Sequence, residues 1–238
     1  ASTMFTAQLA YRSLKFDETV WRGARHVLHL DASHGAGSVL AHGAETLFAE
    51  LRRSHPDLQV EHIRLWDDAV RAQLDYNLEH VRAKKAMLSG SPADADIQRF
   101  APLEQLCKQL ASARGLVVSA PMWNYGVPYV VKQYFDCVLH PGLTFRELEG
   151  GKTAGLLGGG RPLVVLTSSG GDGARDHLTP WLVDASAMLG FDRPEVVAAP
   201  NVAHASREAV LGHIAHRAVG TAHFLGACAM ASSEQQAA

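Results

Sequence analysis

Short apolar runs alternate with stretches of helical period, and this alternation constrains the fold more than any other feature of the chain. The runs cover residues 26–31, 58–65, 115–120, 163–168 and 195–200, each bounded by Gly, Pro, Ser or Asp. Three of them contain nearly unbroken apolar sequence (VLHL, LVVSA, LVVL). Strands covered on both faces read this way. Between them, Leu40, Ala44, Leu47, Phe48 and Leu51 repeat at helical spacing, as do Val127, Val130, Val131, Tyr134, Phe135 and Val138. Leu178, Trp181, Leu182, Ala185 and Leu189 form a third stripe, and Leu211, Ile214, Ala215, Ala218, Ala222 and Leu225 a fourth. Residues 97–110 are also helical, with Pro102 expected to start or kink the helix. The pattern predicts an α/β domain on a doubly wound, five-stranded parallel sheet of order 2-1-3-4-5. Residues 1–24 read as an N-terminal extension, 25–230 as the domain and 231–238 as a C-terminal tail.

Composition narrows the function. The chain has 22 basic and 24 acidic residues in 238, a formal net charge of −2. A nucleic-acid binder working through a basic surface is excluded by that balance. Cys107, Cys137 and Cys228 are too far apart for a CxxC pair, and an odd count argues against a disulfide framework. A reducing, cytoplasmic compartment is the expectation. No apolar run approaches the ~20 residues of a membrane span. Arg12, Lys15, Asp17 and Glu18 interrupt the first stretch, so no signal-peptide apolar region is expected.

Open sheets of this kind bind ligands beyond the carboxyl ends of their strands. The first strand is followed by Ala32-Ser33-His34-Gly35-Ala36-Gly37-Ser38 and a helix. Ser33 and Ser38 offer hydroxyls, and the helix offers free N–H groups to one phosphate. A plain turn capped by a serine fits the same residues. The third strand is followed by Pro121-Met122-Trp123-Asn124-Tyr125-Gly126, a platform for a flat ring. The fourth is followed by Ser168-Ser169-Gly170-Gly171, whose N–H groups suit the polar edge of that ring. Gly151-Lys152-Thr153 is no P-loop, because Arg146 stands where its upstream glycine is needed. No Gly-x-Ser-x-Gly elbow is present. His213 and His216 lack a carboxylate partner pattern for a metal, and the 13 histidines are expected at the surface. Cys137 reads as a small core residue.

The stretch Ser119 to Pro128 (SAPMWNYGVP), then Lys132-Gln133-Tyr134-Phe135-Asp136 and Pro141-Gly142-Leu143-Thr144-Phe145, resembles the FMN-dependent NADH azoreductases. These belong to the flavodoxin-like NAD(P)H quinone reductases. The resemblance extends through Thr167-Ser168-Ser169-Gly170-Gly171, Thr179-Pro180-Trp181-Leu182 and Leu189-Gly190-Phe191, covering roughly residues 25–225. It implies a flavodoxin-like fold, a homodimer, and one FMN per subunit with NADH or NADPH as electron donor. Carried over residue by residue, Ser33 and Ser38 match phosphate-loop serines. Met122, Trp123, Asn124 and Tyr125, preceded by Pro121, match the ring-binding stretch. Ser168, Ser169, Gly170 and Gly171 match the loop at the other edge. Two departures stand out: Ser38-Val39-Leu40 where the family often has Ser-x-Ser, and Ser169 where many members have Arg.

The expectation is an FMN-dependent oxidoreductase passing electrons from NAD(P)H to a quinone, azo or nitroaromatic acceptor by a ping-pong scheme. No side-chain nucleophile is expected, and His140 and Tyr134 are weighed as proton donors but expected to be structural. Two alternatives remain: a flavodoxin-like electron carrier, and a fold relative without flavin. The near-neutral charge weighs against a carrier, which docks through an acidic face.

Overall fold

The computed structural model describes residues 26–35, 37–157 and 159–234. The expected extension at 1–24 and residues 235–238 lie outside them. Strands β1 (His26–Asp31), β2 (Gln59–Arg64) and β3 (Gly115–Pro121) alternate with helices α1 (Val39–Ser54), α2 (Asp68–Gln73), α3 (Leu78–Ser89) and α4 (Asp94–Ser112). Helix α5 (Tyr129–Val138) leads to a short antiparallel hairpin, β4 (Phe145–Glu147) and β5 (Thr153–Gly155). Then come β6 (Pro162–Ser168), α6 (Leu178–Ala187), β7 (Arg193–Ala199) and α7 (Arg207–Glu234).

The main sheet has order β2-β1-β3-β6-β7, all parallel. This is the predicted 2-1-3-4-5 order, renumbered because the β4–β5 hairpin intervenes. Residue alternation sends the two sides of each strand into separate cores. Val27, Val117, Val164 and Leu166 pack with Leu47 and Phe48 of α1 and Ile214, Ala218 and Leu225 of α7. Leu28, Leu30, Leu116, Val118 and Val165 face α4, α5 and α6 through Leu103, Phe135 and Leu182. Burial on both faces explains the unbroken apolar runs.

Three expectations need correction. Helix α4 begins at Asp94, and Pro102 lies inside it rather than at its start. The Asp96 carboxylate accepts the Ala93 N–H (3.0 Å), so the helix is nucleated well before the proline. Helix α7 runs to Glu234, past the domain end expected at 230. The histidines are not all at the surface: His29, His80 and His140 are buried. Each has a polar partner that offsets its desolvation. His29 Nε2 shares a hydrogen bond with Ser119 Oγ (2.8 Å), His80 Nδ1 accepts from the Asn77 N–H at the start of α3, and His140 Nε2 bonds the Cys137 carbonyl (2.8 Å).

Arg161 shows how the ends of two helices are closed. Its side chain is buried against the Phe191 ring, 3.9 Å from the centroid. Its guanidinium donates to the carbonyls of Ala111, Ala113 and Leu189. Those carbonyls lie in or just beyond the last turns of α4 and α6, where helix oxygens lack intrahelical partners and the dipole favours a cation.

Candidate functional site

The site lies at the carboxyl edge of the sheet. Register places Asp31 beside Ser119 and Pro121 beside Ser168, so the segments after β1, β3 and β6 leave the sheet side by side. The Met122 N–H donates to the Ser168 carbonyl (2.8 Å), joining the second segment to the third.

The segment after β3 is a tight turn. Trp123 and Gly126 exchange both backbone hydrogen bonds (3.0 and 2.9 Å). Asn124 (φ 49°) and Tyr125 (φ 68°) form its centre, and two positive φ values are the mark of a type I′ turn. Asn tolerates that conformation; Tyr adopts it at a cost. The turn is clamped from outside, because the His177 N–H donates to the Tyr125 carbonyl (2.9 Å).

Three recesses open around this turn. The first, of about 270 Å³, is lined by Asp31, Ser33, His34, Arg64, Trp66 and Trp123. The hydroxyl of Ser33 is buried there without a hydrogen-bond partner among the described residues. Of the seven such side-chain atoms among the described residues, it is the one whose residue lines a recess around this turn. The second is an open cleft of about 980 Å³ that Trp123 also lines, with Tyr76, Asn124, Lys132, His177 and Trp181 among others. The third, of about 150 Å³, is lined by Met122, Ser168, Ser169, Asp172 and Asp176. Trp123 is the shared wall of the first two. Its ring lies 5.4 Å from those of His34 and Trp66, and Trp66 is fixed by an indole bond to the Ala32 carbonyl (2.9 Å).

The residues expected from sequence fall into two groups. Ser33, Met122, Trp123, Asn124, Ser168 and Ser169 line the recesses. Tyr125 stands at the rim, half exposed, with the Arg175 guanidinium 5.8 Å from its ring centroid. Gly170 and Gly171 have no partner for their N–H groups among the described residues, while their carbonyls hold Ala203 and Asn201. Pro121 is buried and ends β3. Ser38 instead caps α1: its hydroxyl accepts from the Leu40 N–H (3.2 Å). The hydroxyl of Ser169 is spent on the Gly171 carbonyl (2.9 Å), which shapes the loop. His140 and Tyr134 are fully buried, so neither reaches a substrate. Burial holds His140 neutral, at about 3, and raises the Tyr134 phenol far above its usual value.

Comparison with known proteins gives the family. A family model described as flavodoxin-like fold matches residues 25–219. An FMN-dependent NADH:quinone oxidoreductase of Bradyrhizobium diazoefficiens is 34% identical over 174 residues, covering 69% of this chain and 81% of the relative. One from Burkholderia lata is 33% identical over 204 residues, 82% of this chain and 95% of the relative. The chain belongs to this flavodoxin-like oxidoreductase family. Among solved structures, an FMN-dependent NADH-azoreductase of Bacillus anthracis in complex with FMN shares the fold, with a TM-score of 0.75 and 21% identity over 85% of this chain and 99% of that one.

Within this family framework, several lining residues escape a reading based on loops with small side chains. Arg64 ends β2 and Trp66 follows it, and that strand end has no Gly or Ser cluster. Tyr76 comes from the segment between α2 and α3, Lys132 and Gln133 from α5, and His177 and Trp181 from the start of α6. Lys132, Gln133 and Trp181 stand in stretches that carry the family resemblance, and Trp66 directly follows a strand run.

Proposed function

We propose that the chain is an FMN-dependent oxidoreductase that transfers electrons from NADH or NADPH to quinone or azo acceptors, donor and acceptor using one cleft in turn. The observation that carries this reading is the buried, unpartnered Ser33 hydroxyl in a recess that shares Trp123 with an open cleft of about 980 Å³. The residues fit the cofactor: a small phosphate recess, an aromatic turn for a flat ring, and free N–H groups beyond it.

When bound, FMN supplies the two-electron chemistry that these side chains lack. Ser33 would hold the phosphate with the N-terminal N–H groups of α1, a long helix with no acidic residue in its first turn. Trp123, Asn124 and Tyr125 would hold the ring and shield it from water. The free N–H groups of Gly170 and Gly171 would donate hydrogen bonds to negative charge on the bound group. Trp123 and Trp181 make the cleft a slot for flat acceptors, and Lys132, 6.0 Å from the Trp181 centroid, stands there ion-paired with Asp136. The reading includes a homodimer, supported by the exposed aromatic rim of Tyr125 and Tyr129, and a cytoplasmic location, supported by three free cysteines. Among the described residues no helix is long and apolar enough to cross a membrane.

The test is direct. Purified chain loaded with FMN should show flavin absorbance and oxidise NADH or NADPH with quinones and azo dyes, giving parallel double-reciprocal lines. Flavin binding without turnover of any acceptor would favour an electron carrier. Absence of flavin binding would remove the redox reading.

A further inference from the structure

Arg64 ends β2, and register sets it beside Asp31, which pairs in turn with Ser119. It lines the Ser33 recess and also a neighbouring cavity of about 280 Å³ under α1, with His29, Glu45, Arg52 and His62. Among the described residues it is the one Lys or Arg lining the Ser33 recess. Its nearest acidic partner is weak: Nε lies 3.7 Å from Asp67 Oδ1, and both side chains are exposed. A guanidinium held this loosely is free to turn toward a better anion. Arg207, the other guanidinium near the phosphate segment, is already bonded to the Gly37 carbonyl (2.8 Å).

The recess has an electrostatic problem that Arg64 answers. Asp31 presents its carboxylate there, with Oδ1 accepting the Ser33 N–H (2.8 Å). A phosphomonoester carries about −1.5 to −2 charges at neutral pH. Serine hydroxyls and helix N–H groups bring partial charge only. A full positive charge beside Asp31 offsets this, and Arg64 carries one in a geometry suited to two phosphate oxygens.

We infer that Arg64 neutralises the phosphate of the bound flavin and so makes the chain prefer phosphorylated over unphosphorylated flavin. The inference rests on the FMN reading above. Chain stripped of flavin is titrated with FMN and with riboflavin, followed by flavin fluorescence, for the parent, Arg64→Gln and Arg64→Lys. Arg64→Gln should weaken FMN binding about tenfold, the loss of one charge-assisted contact, and change riboflavin binding less than about twofold. It should also flatten the salt dependence of FMN binding, and Arg64→Lys should recover part of the affinity. Retained riboflavin binding shows that the variant is folded. Unchanged FMN affinity, or equal loss of both flavins, overturns the assignment while leaving the cofactor reading standing. A parent chain that binds neither flavin overturns both.

Discussion

Strain and burial at single residues set the character of this molecule. Tyr125 adopts a backbone conformation that disfavours any side chain, and its ring stands half exposed at the cleft rim. A non-glycine residue there costs roughly 1 kcal/mol, while glycine loses more entropy on folding, by up to about 1 kcal/mol. Tyr125→Gly should therefore leave stability unchanged or raise it by about 0.5 kcal/mol in urea unfolding, yet weaken FMN binding severalfold. Strain retained at a ligand-facing turn is the signature of a residue kept for its contact. A variant that is both less stable and equally tight for FMN would refute that account. The buried histidines give a second prediction. Burial lowers His29 from 6.5 to about 4, and His140 to about 3. The unfolded chain then binds more protons than the folded one below pH 6.5. Stability is thus complete above that pH and falls as pH drops toward 4, by about 1.4 kcal/mol per unit for each histidine. His29→Gln should remove one share of the slope. Urea midpoints measured from pH 7 to pH 4 that ran parallel for parent and variant would contradict this.

At the scale of elements, α1 and α7 cover one face of the sheet, and glycines decide how near they come. A Cβ on Gly226 would sit 2.3 Å from His55 Nδ1, and one on Gly43 would sit 2.8 Å from Ile214 Cδ1. Helix propensity favours alanine over glycine by about 1 kcal/mol, but overpacking costs about 1–3 kcal/mol. At Gly226 the clash involves a whole imidazole ring, so Gly226→Ala should destabilise by about 1 kcal/mol. Combined with His55→Ala, the same substitution should become stabilising relative to His55→Ala alone, because only the propensity gain remains. Thermal melts of the four chains in this cycle decide it; additive effects would remove the contact as the cause. This packing detail illustrates what periodicity conveys and omits. The stripe Ile214, Ala218, Ala222, Leu225 is visible as a buried face, since helical spacing reports which side is dry. That Gly226 admits an imidazole depends on a residue far away in sequence, which no local pattern encodes. Helices α2 and α3 were similarly hidden, because α2 has no buried residue and α3 buries only His80 and Ala83.

At the scale of the whole molecule, the strand order was readable because burial on both faces leaves unbroken apolar runs, and chain alternation then restricts the connections. The segments after β1, β3 and β6 were readable as site candidates because small residues at strand ends announce close backbone approach. Arg64 and His177 were not, since such a residue at the end of a strand or the start of a helix looks the same whether it faces ligand or solvent. Their role appears only when register brings β2 beside β1 and the start of α6 against the turn at Trp123–Gly126. A ligand seated across these segments binds the folded sheet edge and has no counterpart in the unfolded chain. FMN at about one hundred times its dissociation constant should therefore raise unfolding stability by about 2.7 kcal/mol. Because the segments are joined by bonds such as Met122 N–H to Ser168 and His177 N–H to Tyr125, protection should spread across all of them together. Hydrogen exchange with and without FMN should show slowing at residues 33–35, 122–126 and 169–173 with one shared ligand dependence. Slowing at one segment alone, or three different midpoints, would mean that the recesses around Trp123 do not act as a single site.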